Sequence, residues 1–210
     1  MDREAILHAV ESERLDLADL LDRLAPADWD VASLCAGWTV RDVVAHLTLA
    51  TRLSKPAAVL GIVRARGDIN RMIHDAACRR AAEFGPAELV AQLRATAGSA
   101  RRPLGTRPLD SLVDLLVHGQ DIARPLGRAR PMPLERVLPA LRHVWGSSFY
   151  GAQKRFTGLR LTATDLDWAE GEGAEVRGPG GELLLILTGR RVALDDLDGP
   201  AAVEAATRLA

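Results

Sequence analysis

Apolar residues recur at helical spacing through most of the chain. In "DREAILHAVESERLDLADLLDRL" (residues 2–24), Ile6, Val10, Leu17, Leu20, Leu21 and Leu24 fall on one stripe with charges between them, which predicts a first amphipathic helix. Pro26 and the mixed stretch up to Gly37 break that pattern. A second helix then starts on strong local signals. Thr39 is its N-cap, Asp42 stands where a capping-box acid belongs, and Trp38 and Val43 have hydrophobic-staple spacing. At helical phase, Val40, Val43, Val44, Leu47 and Ala50 form its apolar stripe and His46 lies on the flank, at the edge of a core. Helical spacing returns over 68–100, interrupted at Gly85-Pro86, then over 109–124 up to the Pro125/Gly127 stop, and again over 134–150.

The period changes near residue 157. "GLRLTATDLDW" alternates Leu159, Leu161 and Ala163 with polar partners, the spacing of a strand, and glycines cluster from 171 to 181. "ELLLILTGR" fits a buried strand or a short helix, and Gly189 with Arg190 and Arg191 behind it favours helix. "GPAAVEAATRLA" predicts a last helix opened by Pro200. The expected organisation is mainly α: a helical unit over 1–153 and a small α/β unit over 154–210.

Composition narrows the function. The chain has 210 residues, enough for a medium and a small domain. Its 27 basic and 28 acidic residues nearly cancel without long single-sign runs, which argues against nucleic acid as a partner. No apolar run reaches the roughly 18 to 20 residues of a membrane span. Two distant cysteines, Cys35 and Cys78, with no N-terminal apolar run, point to a reducing cytoplasm. Only Lys55 and Lys154 are lysines, a bias expected of a GC-rich genome.

The chemistry gathers on the helix over 109–124. Ser111, Asp114, His118 and Asp121 follow one another at steps of three or four residues, so they share one narrow polar stripe on an otherwise apolar cylinder. A carboxylate and an imidazole four residues apart lie close enough to share one divalent ion. A third ligand has to come from elsewhere, and His46 is the best placed of the remaining histidines, ahead of His8, His74 and His143. Such a donor set suits zinc or iron and leaves a fourth position open. Asp121 is either an acceptor behind His118 or an alternative ligand. The same stripe also reads as an ordinary solvated helix face, and periodicity does not choose between the two.

"SLCAGWTVRDVVAHLT", "LVDLLVHGQDIARPLG", "LRLTATDLDW" and "LLLILTGR" together resemble the mycothiol-dependent maleylpyruvate isomerase family, within the broader DinB-like metalloenzymes. The resemblance implies a DinB-like four-helix-type bundle holding a divalent metal, usually zinc, followed by a small α/β domain akin to sterol-carrier-like folds. Carried over residue by residue, it makes His46, Asp114 and His118 the metal ligands, with aspartate at 114 where the family pattern has glutamate. It makes Arg190 the arginine offered by the C-terminal domain, although a cation at a helix C-terminus reads equally as structural. It further implies an enzyme, a cis-trans isomerase or S-transferase whose nucleophile is the thiolate of mycothiol acting on a small-molecule electrophile. Mycothiol occurs in actinobacteria, in keeping with the GC-rich bias; a homodimer is one arrangement left open. On this reading Cys35 packs as a small hydrophobe beside Trp38. Two other functions stay in view: a non-catalytic small-ligand-binding protein and a metal-dependent hydrolase, both on the same fold.

Overall fold

The computed structural model describes residues 1–103, 105–191 and 196–209. The chain divides into two compact units, Met1–Arg130 and Pro131–Ala210. The first is helical: α1 (Arg3–Leu21), a 3-10 turn (Pro26–Asp30), α2 (Val40–Arg52), α3 (Lys55–Arg64), α4 (Ile69–Glu83), α5 (Pro86–Ala95) and α6 (Pro108–Ala123). α1 packs on α5 and α6, and α2 packs on α4, α5 and α6. Leu17, Val43, Val44, Leu89, Leu112 and Ile122 are among the side chains that fill the space between them without exposure.

The start of α2 follows its sequence signals. The Asp42 amide donates to Thr39 Oγ1 at 3.3 Å, and the Thr39 amide donates to Asp42 Oδ2 at 2.9 Å, closing the capping box. The expected stripe is buried at Val40, Val43, Val44 and Leu47, but Ala45 and Thr48 are buried as well and Ala50 is only half-buried. A helix with neighbours on three sides buries more than one stripe.

The hydropathy pattern does not predict α3. Its Ser54 cap accepts from the Ala57 amide at 3.3 Å and Pro56 sits in its first turn, yet Val59, Leu60 and Val63 face outward, so no amphipathic stripe marks it.

The second unit contains α7 (Leu134–Gly146), α8 (Ala152–Arg155), β1 (Leu159–Ala163), β2 (Ala169–Gly171), β3 (Ala174–Gly178), α9 (Gly180–Leu187) and α10 (Ala202–Thr207). The sheet order is β2-β1-β3, with β1 antiparallel to β2 and parallel to β3; Leu161 faces Glu170 on one side and Val176 on the other. The glycine cluster has a steric cause. A Cβ on Gly171 would lie 2.2 Å from the Leu159 carbonyl oxygen, and one on Gly173 would lie 2.0 Å from that of Gly158. The apolar run 183–187 is a helix that is buried all round, which is why neither period is visible in it.

The division falls between Arg130 and Pro131, not at the expected 153/154. α7 buries Val137, Ala140, Leu141 and Val144 and packs on α9, so its apolar face belongs to the C-terminal core. Among the described residues, no helix is long and apolar enough to cross a membrane.

Two buried cations tie the first unit together. Arg130 pairs with Glu13, both nearly inaccessible. Arg14 Nη1 on α1 donates to the carbonyls of Thr96 (3.0 Å), Ala97 (2.9 Å) and Ser99 (2.9 Å), which follow α5. Removing that donor takes a hydrogen bond from three buried or half-buried carbonyls, of which Thr96 keeps the Ser99 amide. We expect Arg14→Met to lower unfolding free energy by about 2–4 kcal/mol, read from urea midpoints at unchanged m-value.

Candidate metal centre

Two stretches of chain build the centre. The first runs from Val31 into α2. Ser33 Oγ donates to the Trp38 carbonyl at 2.9 Å, the Cys35 amide donates to Ser33 Oγ at 3.1 Å, and the Trp38 amide donates to the Cys35 carbonyl at 3.0 Å. The last bond closes a four-residue turn with Gly37 at φ +77°, the glycine position of a type II turn. The Leu34 amide donates to the Asp121 carbonyl at 3.2 Å, fastening this loop to the second stretch, α6.

His46 on α2 and Asp114 and His118 on α6 converge. Asp114 Oδ1 lies 3.5 Å from His46 Nε2 and 3.3 Å from His118 Nε2, and the three atoms are all within 4.8 Å of one another. The imidazoles meet edge to face with ring centroids 4.9 Å apart. Trp38 lies against both, 5.3 Å from His46 and 6.3 Å from His118. The supposed solvated face is therefore mostly covered. Asp121 has no exposure, and the His118 and Asp114 side chains keep only 12% and 31%.

Asp121 stands behind His118 on α6. Its Oδ2 lies 2.8 Å from His118 Nδ1, and since an ionised carboxylate only accepts, Nδ1 carries a proton and Nε2 is the nitrogen that would be left to bind a cation. Such a partner fixes both tautomer and ring orientation. Among the described residues His46 Nδ1 is buried without a hydrogen-bond partner, so that ring is held by Asp114 on its other nitrogen and by packing against Trp38 and His118. One oxygen of Asp114 reaches both imidazoles.

The charges reinforce one another. Burial by itself would raise the Asp114 carboxyl, but His46 and His118 outweigh it and hold the group far below the usual carboxylate range. Burial would lower His118, yet hydrogen bonding and charge from Asp114, with hydrogen bonds to Asp121 and Cys35, push it well above 6.5.

The donor set fits a divalent ion. Two ligands at about 2.0–2.1 Å on a tetrahedral ion stand roughly 3.3 Å apart, close to the 3.3 and 3.5 Å separations from Asp114. Two imidazoles and one carboxylate are the hard-to-borderline mixture that suits zinc.

Other residues fall as follows. Cys35 is more than the expected small hydrophobe, with Sγ 3.1 Å from Asp121 Oδ2 and 3.6 Å from His118 Nδ1. Its presence in the motif that also carries Trp38 and His46 is the one available sequence signal. Trp38 lines the centre as well as packing beside α2. His74 stands 6.0 Å from the Trp38 ring and is about half exposed. The Cys78 thiol is pushed up by burial and then by Asp42 and Asp75, which leaves it a poor nucleophile. Arg190 lies in the second unit just beyond α9, where its amide donates to the Leu185 carbonyl at 2.9 Å and its guanidinium donates to the Thr188 carbonyl at 2.7 Å.

Residues 10–111 match the family model described as the mycothiol maleylpyruvate isomerase N-terminal domain. That span takes in Cys35, Trp38 and His46 and stops short of Asp114. No curated protein sequence matches the chain. A crystal structure of a mycothiol-dependent maleylpyruvate isomerase superposes with TM-score 0.62 at 14% identity, covering 96% of this chain and 94% of that one. A histidine-to-alanine mutant of a mycothiol-dependent maleylpyruvate isomerase superposes with TM-score 0.60 at 15% identity and the same coverage. The helical bundle followed by a small α/β unit is thus the architecture of those structures as well.

The ion pair sets a pH window in protein stripped of metal. Asp114 is depressed in the fold, so its contribution is complete above about pH 4 and fades as pH falls. His118 is raised, so its contribution is complete below about pH 6.5 and is lost as pH climbs through its folded value. With chelator present, the stability difference between wild type and Asp114→Asn should peak between these limits at about 2 kcal/mol and shrink in alkali, as measured by urea midpoints across pH.

Proposed function

We propose, from the premise that residues 10–111 belong to the mycothiol maleylpyruvate isomerase N-terminal domain family, that this chain is a divalent-metal- and mycothiol-dependent enzyme acting on a small electrophile. The reaction is a cis-trans isomerisation or an S-transfer. The observation that carries the reading is the meeting of His46 Nε2 and His118 Nε2, from two separate helices, at a single oxygen of Asp114. His46, Asp114 and His118 would hold a divalent ion, zinc suiting them best, and such an ion would supply the Lewis acidity that lowers the pKa of a thiol toward neutrality.

The chain's own residues do the rest. Asp114 supplies the negative charge that keeps two imidazoles together in a covered place. Asp121 holds the proton of His118 on Nδ1 and aims Nε2 at the centre. Trp38 shields one side from water, where electrostatic interactions are stronger than in bulk solvent. The localisation that accompanies this reading is the cytoplasm, where mycothiol would be kept reduced.

The test joins metal content to turnover. Purified protein should hold about one divalent ion per chain, lost in His46→Ala and His118→Ala, and should isomerise maleylpyruvate or conjugate a small electrophile only when mycothiol is added. Both variants should lose roughly 100-fold or more in kcat/KM, the equivalent of several kcal/mol of lost metal assistance. Wild-type protein that binds no metal after zinc loading, or turns over equally well without thiol, would remove the proposal.

A further inference from the structure

The layer behind His118 contains more than an acceptor. Cys35 Sγ donates to Asp121 Oδ2 at 3.1 Å, and the same oxygen accepts from His118 Nδ1 at 2.8 Å. Cys35, Asp121 and His118 also form a second group of potential metal donors within 4.8 Å of one another. Distances decide between a hydrogen-bonded chain and a second metal position. On a tetrahedral zinc, sulfur at about 2.3 Å and oxygen at about 2.0 Å would stand roughly 3.5 Å apart, and nitrogen and oxygen roughly 3.3 Å. The observed 3.1 and 2.8 Å are shorter than both and match hydrogen bonds, with the long sulfur contact and the charge-assisted nitrogen contact each in its ordinary range.

We propose that Cys35 is a positioning residue of the metal centre: its thiol anchors Asp121 Oδ2, and Asp121 in turn fixes the imidazole of His118 that faces Asp114. Three features show that the contact is built rather than incidental. Asp121 is fully buried, so the lone pairs of its Oδ2 are served by protein donors, His118 Nδ1 and the Cys35 thiol, and not by bulk water. The loop is locked before Cys35 reaches α6, by the Ser33 bonds and the Gly37 turn. The loop is also tied to the same residue twice, through the Leu34 amide on the Asp121 carbonyl and the Cys35 thiol on its carboxylate. Removing either anchor leaves the other, so the thiol's role is orientation of the carboxylate and not attachment of the loop.

The role rests on His118 being a metal ligand only as far as metal affinity is concerned; the hydrogen-bonded chain itself is testable without metal. Two substitutions separate donor from filler. Cys35→Ser keeps a donor and loses apolar volume, whereas Cys35→Val keeps the volume and loses the donor. In metal-free protein labelled at histidine nitrogen, the His118 Nδ1–H resonance should stay close to its wild-type position in Cys35→Ser and move or broaden away in Cys35→Val. In competition with a chromophoric chelator, zinc affinity should fall roughly 10- to 100-fold in Cys35→Val, with most of it recovered in Cys35→Ser.

The opposite order, with Cys35→Val like wild type and Cys35→Ser impaired, would show that Cys35 only packs and would overturn the proposal. So would a cobalt-loaded wild type with a thiolate-to-metal absorption band that vanishes in Cys35→Val, because Cys35 would then be a ligand. Wild-type protein that binds no zinc would strike at the metal reading alone, since the resonance comparison still decides what Cys35 does. If Cys35→Val fails to fold, Cys35→Ala supplies the donor-free arm, with thermal melting checked beside it.

Discussion

One carboxylate oxygen between two imidazoles is the contact on which the centre depends. Asp114 and His118 share a helix and keep their spacing by backbone geometry alone, but His46 belongs to α2, and only the packing of α2 on α6 brings it near. A slip of one helical turn, about 5.4 Å, would carry His46 out of reach of Oδ1. The devices around α2 therefore matter for chemistry as well as stability. The Thr39–Asp42 box fixes where the helix begins, the Gly37 turn fixes how the chain enters it, and the Leu34–Asp121 bond ties that entry to α6. A close-packed interior holds such a register rigidly.

Burying this many polar groups requires compensation at each. An unpaired carboxylate at 114 would be driven toward its protonated form, and an unpaired imidazole at 118 toward neutrality. Facing each other, they shift in opposite directions and both remain ionised when no cation lies between them. The compensation extends away from the centre. Arg14 is lowered by its own burial, and the charge of Asp114 acts on it in the opposite sense, while its hydrogen bonds go to three carbonyls beyond α5. The bundle is thus held by the buried hydrogen bonds of Arg14 as well as by leucine and valine packing.

How far this is legible in the chain follows from which signals are local. The caps, the Gly85-Pro86 break and the polar stripe on α6 depend on residues a few positions apart, and each marks an element that the structure contains. The pairing of His46 with that stripe is not local; helical phase places it at a core edge, and the family resemblance chooses its partner. α3 escapes because its apolar residues face outward, and the division at 130/131 escapes because α7 carries an ordinary stripe that does not say which core it joins. Cys35 reads as filler in the sequence because a thiol has no periodic signature, and its contact with Asp121 spans 86 positions.

The aspartate at 114 stands where the family pattern has glutamate. Losing one methylene draws a carboxylate back by about 1.5 Å, which would matter if the imidazoles were fixed at the longer reach. Here they approach from the sides of α6: His118 from the next turn of the same helix, and His46 from α2, whose register is set by its own cap and by Trp38. Both rings lean on Trp38 and on each other. A single oxygen then serves both, and the buried carboxylate of Asp121, anchored on its own side by a thiol, keeps the nearer ring from turning away.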